Sequence, residues 1–299
     1  MRKAVIDLGT NTFNLMIGQV IKNQFTMIYT EKESVLLGMN GINDCIISDE
    51  AMDRAKKCLT RFKAKCQGKN VSIIEGIGTS ALRSSKNSQD LIDFAKSQLS
   101  IEIVVISGDR EAELIHSGVS WIHNFKEESI IMDIGGGSTE FIHGFENKIL
   151  RKTSLKIGVS RIYQSFGKPD AFSKEQMAKI RAFLSDNKDD FFNDLQVPVL
   201  IGSSGSFETI YKLIFSQKFP NENRLIQLPL AEVLEMLEWL IYSTLEERMN
   251  NKWISNMRKP MMPITAMQMK WAIEEFNIQE IYVSPYSLKE GAFASLKGE

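Results

Sequence analysis

Ile130-Ile131-Met132-Asp133-Ile134-Gly135-Gly136-Gly137-Ser138-Thr139-Glu140 decides the fold. An apolar run of the buried-strand type ends in an Asp and breaks at once into three glycines. Glycines after a strand cost conformational entropy and add no packing, so the reading is a backbone that must approach a ligand closely. Ser138 and Thr139 add hydroxyl donors, and Glu140 returns a carboxylate to the same place. The pattern occurs a second time at the start of the chain, where Ala4-Val5-Ile6-Asp7 runs into Leu8-Gly9-Thr10-Asn11-Thr12. One such turn alone reads equally well as a plain hairpin, where Asp, Gly, Asn and Thr are common. Two of them, each followed by more strand-like sequence, imply two related half-sites facing one polyanionic ligand.

The segments around the two turns repeat a coarse order. Lys3–Asp7, Phe13–Val20 and Phe25–Val35 read as strands, and so do Ser129–Asp133, Thr139–His143 and Lys148–Ser154. After the first set, Ser48–Lys65 has helical spacing behind a Ser48 N-cap. Val71–Glu75 and Ile101–Ile106 read as strands, with helices over Ser88–Leu99 and from about Asp109 to Trp121. After the second set, helices are expected over Val159–Phe166 and Ser173–Asn187, then a strand at Val197–Ile201. Pro229–Phe276 reads as mostly helical, Ile278–Val283 as a last strand and Leu288–Leu296 as a closing helix. No low-complexity linker separates the halves, so they are expected to pack closely, with a hinge near residues 115–128.

Bulk properties narrow the function classes. The 299 residues are 43% apolar and 24% charged, typical of a globular protein with a large core. A net charge of −1 provides no global basic field for nucleic acid, so an anion must be held locally. Cys45, Cys58 and Cys66 show no zinc-ligand spacing and read as thiols in a reducing compartment. No signal-peptide pattern and no membrane-length apolar stretch is present, so a cytoplasmic location away from membranes is expected. The histidines 116, 123 and 143 fit no nucleophile motif, and there is no Walker P-loop. Chemistry therefore falls to carboxylates, backbone donors and metal.

The backbone N–H groups of Thr10 to Thr12 can form a nest for phosphate oxygens. Asp7 would repel phosphate, and its useful role is to hold a divalent cation or orient a water. Asp133 and Glu140 flank one loop and can share such a cation. Gly202-Ser203-Ser204-Gly205-Ser206 is a third glycine turn, leading into a helix whose N-terminus offers N–H groups to an anion. Ser and Gly also cap helices routinely, so this turn is weak by itself. Arg83, in the Gly78-Thr79-Ser80-Ala81-Leu82-Arg83 segment that follows a strand, fits either phosphate or a surface ion pair. Asp109, Glu111 and Glu113 open a helix, where acidic residues complement the helix dipole.

In order along the chain, these motifs resemble the superfamily of actin, sugar kinases, acetate kinase and heat-shock chaperone ATPases. Within it the sequence is similar to the exopolyphosphatase / guanosine pentaphosphate phosphohydrolase family. Val5–Thr12 looks like that family's first loop, and Thr79–Asn87 resembles its Thr-Ser-Ala-x-Arg-x-Ala-x-Asn segment. Ser107–Ala112 is similar to its Ser-Gly-x-x-Glu-Ala element. Asp133–Glu140 matches its second loop, Gly202–Ser206 its third, and Leu288-Lys289-Glu290-Gly291 its terminal Leu-Arg-Glu-Gly. Met257-Arg258-Lys259 departs from the family's Arg-Ala-Asp. The length resembles short members that lack an additional helical domain used to grip extended polyphosphate.

The resemblance implies an α/β fold of two ribonuclease H-like (actin-like ATPase) domains flanking a cleft. They would span residues 1–120 and 121–285, with helix 286–299 packing back on the first. It implies a phosphohydrolase that releases terminal phosphate from inorganic polyphosphate, or from guanosine pentaphosphate, with Mg²⁺ or Mn²⁺. Glu111 then becomes the catalytic base, with Glu140 and Asp133 as its acidic partners. Metal would lie on Asp7, Asp133 and Glu140. Phosphate would lie on Gly9, Thr10, Asn11, Thr12, Arg83, Gly136, Gly137, Ser138, Thr139, Ser204, Gly205 and Ser206. A kinase of the same superfamily and a non-catalytic polyphosphate or alarmone sensor are the competing classes. The apolar residues of Leu230–Leu245 fit either a homodimer face or a buried face.

Overall fold

The structure is a computed structural model that describes residues 1–21 and 24–295, with side chains described outside 20–25. Residues 296–299, including the expected end of the closing helix at Leu296, lie outside the described residues. The first half runs β1 (Arg2–Leu8), β2 (Thr12–Ile21), β3 (Gln24–Ser34), α1 (Asp49–Gly68), β4 (Ile73–Gly78), α2 (Ser80–Ser84), α3 (Ser88–Leu99), β5 (Glu102–Val105) and α4 (Gly108–Val119). The second opens with β6 (Ser129–Ile134), β7 (Thr139–Phe145), β8 (Lys148–Leu155), α5 (Val159–Ser165) and α6 (Lys174–Asp186). It continues with β9 (Val199–Ser203), α7 (Gly205–Phe215), β10 (Ile226–Leu228), α8 (Leu230–Tyr242), α9 (Leu245–Asn250), α10 (Met262–Glu275), β11 (Glu280–Ser284) and α11 (Leu288–Ser295).

Among the described residues the first sheet has the order β3-β2-β1-β4-β5 and the second β8-β7-β6-β9-β11-β10. In both, the first three strands form an antiparallel meander, and the next two join parallel to its first strand. This is the ribonuclease H-like arrangement, present twice, with β10 added to the second copy.

The central strands are buried on both faces, which is why they read as unbroken apolar runs. Ile6 faces a core shared with α1 and α3, whereas its neighbour Val5 faces the space between the sheets. Ile130 and Met132 likewise face the outer core of the second sheet, and Ile131 faces inward. The inner space is filled by α4 and α11, through Ala112, Ile115, Val119, Leu288, Ala292 and Phe293. Helix α11 also touches β1 and β2, so the chain returns from the second half to lie against the first.

Several boundaries differ from expectation for physical reasons. Strand β4 runs to Gly78 because Gly76 and Gly78, which read as breaks, pair with β1 and β5 inside the sheet. The expected strand at Val197–Ile201 lies two residues later, because Pro198 precedes the ladder and its carbonyl instead accepts from Gln279 and Glu280. Residues 115–119 of the expected hinge are inside α4, so only 120–128 run as a connector. In Leu230–Leu245, Val233, Leu237, Leu240 and Ile241 are buried within the protein, while Trp239 and Tyr242 are exposed. No described helix is long and apolar enough to cross a membrane.

Helices α4 and α11 meet backbone to backbone. A methyl on Gly291 would overlap the Leu114 carbonyl oxygen, and one on Gly118 would overlap that of Ser287. Gly291→Ala should therefore cost about 1–3 kcal/mol or more through overpacking. Gly68→Ala, where the space is open, should cost nothing measurable. Urea midpoints with unchanged slopes would show this, and equal midpoints for the two variants would contradict the helix contact.

Candidate active site

The two turns share one geometry. Asp7 lies near the end of β1 opposite Asn14, and Asp133 near the end of β6 opposite Glu140. Each turn closes by the same backbone bond, Gly9 N to Thr12 O at 3.1 Å and Gly135 N to Ser138 O at 3.0 Å. The turns press against each other. A Cβ on Gly136 would come within 2.8 Å of the Asn11 side chain, and one on Gly137 within 2.8 Å of Thr10 Oγ1 and 2.5 Å of Ser80 Oγ. A Cβ on Gly158 would run into the backbone of Gly136 and Gly137. This corrects the view that the glycines add no packing: loop-on-loop contact demands them as well. Ser160 Oγ donates to Asn11 Oδ1 at 2.7 Å across the same seam.

One cleft collects most of the expected site. Asp7, Gly9, Thr10, Asn11, Thr12, Glu111, Asp133, Gly136, Gly137, Ser138, Glu140, Ser204, Gly205 and Ser206 all line it. Thr139 does not: it is fully buried at the start of β7, where its hydroxyl accepts from Gln268 at 3.4 Å. Arg83 is also outside the lining and is held by the protein itself. Its Nη1 donates to Glu111 Oε2 at 2.9 Å and to the Ile106 carbonyl at 3.0 Å.

The carboxylates are crowded. Burial and then the charge of Glu140 push the Glu111 carboxyl well above its ordinary value, against the pull of Arg83. Burial, with Glu140 and Asp7 nearby, pushes Asp133 up to about 7. Ser287 at 2.7 Å and Ser203 at 3.3 Å partly offset this by donating to it. Burial pushes Asp7 up to about 6, opposed by the Asn14 amide at 2.8 Å and by Lys289 and Lys32. Burial also raises Glu140, although Ser154 Oγ donates to it at 2.6 Å.

Such a set of hard oxygen donors with excess negative charge suits Mg²⁺ or Mn²⁺. Among the described residues, however, no three of His, Cys, Asp or Glu gather closely enough to hold an ion. Asp7, Asp133 and Glu140 therefore do not by themselves form a closed set of ligands. An ion here would need further oxygens, from substrate phosphate and water.

The sequence reading missed the other end of the cleft. Lys32 from β3, Glu208 from α7, Arg258 and Lys289 from α11 all line it. Burial, then the Arg258 charge, lowers Lys32 to about 8. Lys32 sits in Thr30-Glu31-Lys32-Glu33, which reads as a solvated strand face. Arg258 and Lys289 stood out only as departures from a family pattern. The cleft is thus acidic around Glu111, Glu140 and Asp133 and cationic around Lys32 and Arg258.

The model of the Ppx/GppA phosphatase family matches residues 16–298. The chain belongs to this family. An exopolyphosphatase crystal structure from Cytophaga hutchinsonii superposes with a TM-score of 0.94 at 34% identity, covering 99% of this chain and 97% of that one. The Aquifex aeolicus member of the Ppx/GppA family shares the fold, with a TM-score of 0.81 at 20% identity over 99% of this chain and 97% of its own. A guanosine-5'-triphosphate,3'-diphosphate pyrophosphatase of Aeromonas salmonicida is 25% identical over 299 residues. That match covers 99% of this chain but 59% of the relative. As a Ppx/GppA protein the chain is a phosphoanhydride hydrolase, and the family resemblance read from its motifs holds along its length.

The raised carboxyls couple protonation to stability. An acid whose folded pKa exceeds its unfolded value binds its proton more tightly when folded, so stability falls as pH rises between the two values. Asp7 and Asp133 start from 3.8 and end at about 6 and about 7. Without divalent cations, the thermal midpoint should therefore fall as pH rises from about 4 to about 8 through these two groups. Asp133→Asn should flatten the upper part of that fall. Mg²⁺ should raise the midpoint more at the alkaline end than at the acid end, as calorimetry would show.

Proposed function

We propose that this chain releases the terminal phosphate of inorganic polyphosphate by attack of a water activated at Glu111. The observation that carries this is the Glu111–Arg83 pair at 2.9 Å, set at the cleft where both glycine turns meet. A buried carboxyl raised above its ordinary value is a stronger base than a free carboxylate, as proton abstraction from water requires. Arg83 fixes its orientation and keeps part of its charge compensated.

Phosphoryl transfer to water needs in-line placement and charge neutralisation more than covalent help. The turns at Gly9–Thr12 and Gly136–Ser138 supply preorganised donors for the phosphate oxygens. The Mg²⁺ or Mn²⁺ that Asp7, Asp133 and Glu140 would help to hold supplies charge neutralisation when bound. The water loses its proton to Glu111, its oxygen bonds to the terminal phosphorus, and the bridging P–O bond breaks. The shortened chain leaves carrying the negative charge of that bridge, towards Lys32 and Arg258. The name of the Aeromonas salmonicida relative supports a second substrate, the 5′-terminal phosphate of guanosine pentaphosphate, by the same steps. The unpaired Cys45, Cys58 and Cys66 support a reducing, cytoplasmic setting.

With Mg²⁺ present, phosphate release should be seen from polyphosphate or guanosine pentaphosphate and should exceed that from ATP. Silence with all three would sink the reading. Glu111→Gln should slow release on the order of 10²–10⁴-fold while polyphosphate still binds. A Gln variant as fast as wild type would remove Glu111 from the role of base.

A further inference from the structure

Helix α7 begins at Gly205 on the cationic wall of the cleft, and Glu208 lies in its first turn, facing the same space. Its carboxylate lies 3.6 Å from Lys212 Nζ, one helical turn on. A surface pair of that spacing contributes little and requires no other partner. Glu208 has others. Lys32 from the first sheet, Arg258 from the turn before α10 and Lys289 from α11 line the same cleft and attract its charge from beyond ion-pair distance.

These cations are crowded without Glu208. A side chain on Gly205 would begin 2.9 Å from Lys32 Nζ and would run into the Arg258 guanidinium. Two like charges therefore converge on one point of the cleft wall, from opposite halves of the protein. Such a point calls for an anion. Burial works against the Glu208 charge, yet Lys32, Lys212, Arg258 and Lys289 together hold its carboxyl below the ordinary value.

We propose that Glu208 is a specificity-determining residue, a built-in counter-anion that limits how strongly the cleft grips the inner phosphates of a polyphosphate chain. The direction of the chain rests on the function proposed above, with the terminal phosphate beside Glu111 and the inner phosphates towards Lys32 and Arg258. A phosphate that reaches the cationic end must share those cations with a carboxylate and is repelled by it. A short chain, held between the two glycine turns, is largely spared. Lengthening the substrate therefore gains this enzyme little affinity.

Equilibrium binding tests this apart from turnover. Tripolyphosphate and a long-chain polyphosphate would each be titrated, without divalent cation, into wild type, Glu208→Gln and Glu208→Lys. Phosphate release with Mg²⁺ would be measured in parallel. Glu208→Gln should tighten the long chain by roughly three- to tenfold, and the gain should shrink with added salt. Tripolyphosphate should bind close to its wild-type strength, and Glu208→Lys should favour the long chain further. An unchanged ratio of long- to short-chain affinity in both variants would overturn the proposal, and so would weaker binding of both chains. If no variant or wild type released phosphate but Glu208→Gln still gripped the long chain more tightly, the phosphohydrolase reading would fail and the role of Glu208 would stand.

Discussion

Two carboxylates face each other across one rung of a β-ladder, Asp133 on β6 and Glu140 on β7. The equivalent rung of the first half pairs Asp7 with Asn14, whose amide donates to the acid. The turns are otherwise built alike. One difference, an acid in place of an amide, turns a self-satisfied pair into a repelling one. Unpaired buried charge is expensive, so the surroundings adapt. Ser203 and Ser287 donate to Asp133, Ser154 donates to Glu140, and Arg83 balances Glu111. What the protein does not compensate is left for a ligand to compensate.

That charge can be concentrated only because the halves approach so closely. Glycine at 136, 137 and 158 lets the two turns and the start of α5 touch with backbone and short side chains. The α4–α11 layer sets the spacing behind them, filling the gap between the sheets with Ile115, Val119 and Phe293. The cleft is thus the unfilled edge of a seam that is elsewhere packed. Its acidic end draws on elements of both halves, and so does its cationic end.

Legibility in the sequence followed the range of the forces involved. The hairpin turns, the paired strands and α1 rest on local rules: apolar runs, turn chemistry and the Ser48 cap. All of these could be read in the residues. Strand β4 was misplaced because Gly76 and Gly78 break a pattern that sheet pairing restores. Glu111 carried no local sign of importance, since an acid at a helix start is ordinary, and only the family motif marked it. The role of Arg83 as its partner depends on a fold contact between residues 28 positions apart. Lys32, Glu208 and Arg258 were illegible for the same reason, on a larger scale. Each looks like a solvated charge in its own segment and acquires meaning only when three distant segments converge on Gly205.

Helix α11 has a consequence for how the molecule comes into being. Its side chains complete a core whose remaining members are spread from Val5 to Ile201. A ribosome delivers Leu288–Phe293 long after the strands they cover. Until then the inner face of the first sheet lacks its lid, and Val5, Met16 and Ile77 have only α4 and the second sheet to shelter them. Contacts so distant in sequence form slowly and leave apolar surface open meanwhile. The order of synthesis thus leaves the layer between the two sheets open until the last helix has been made.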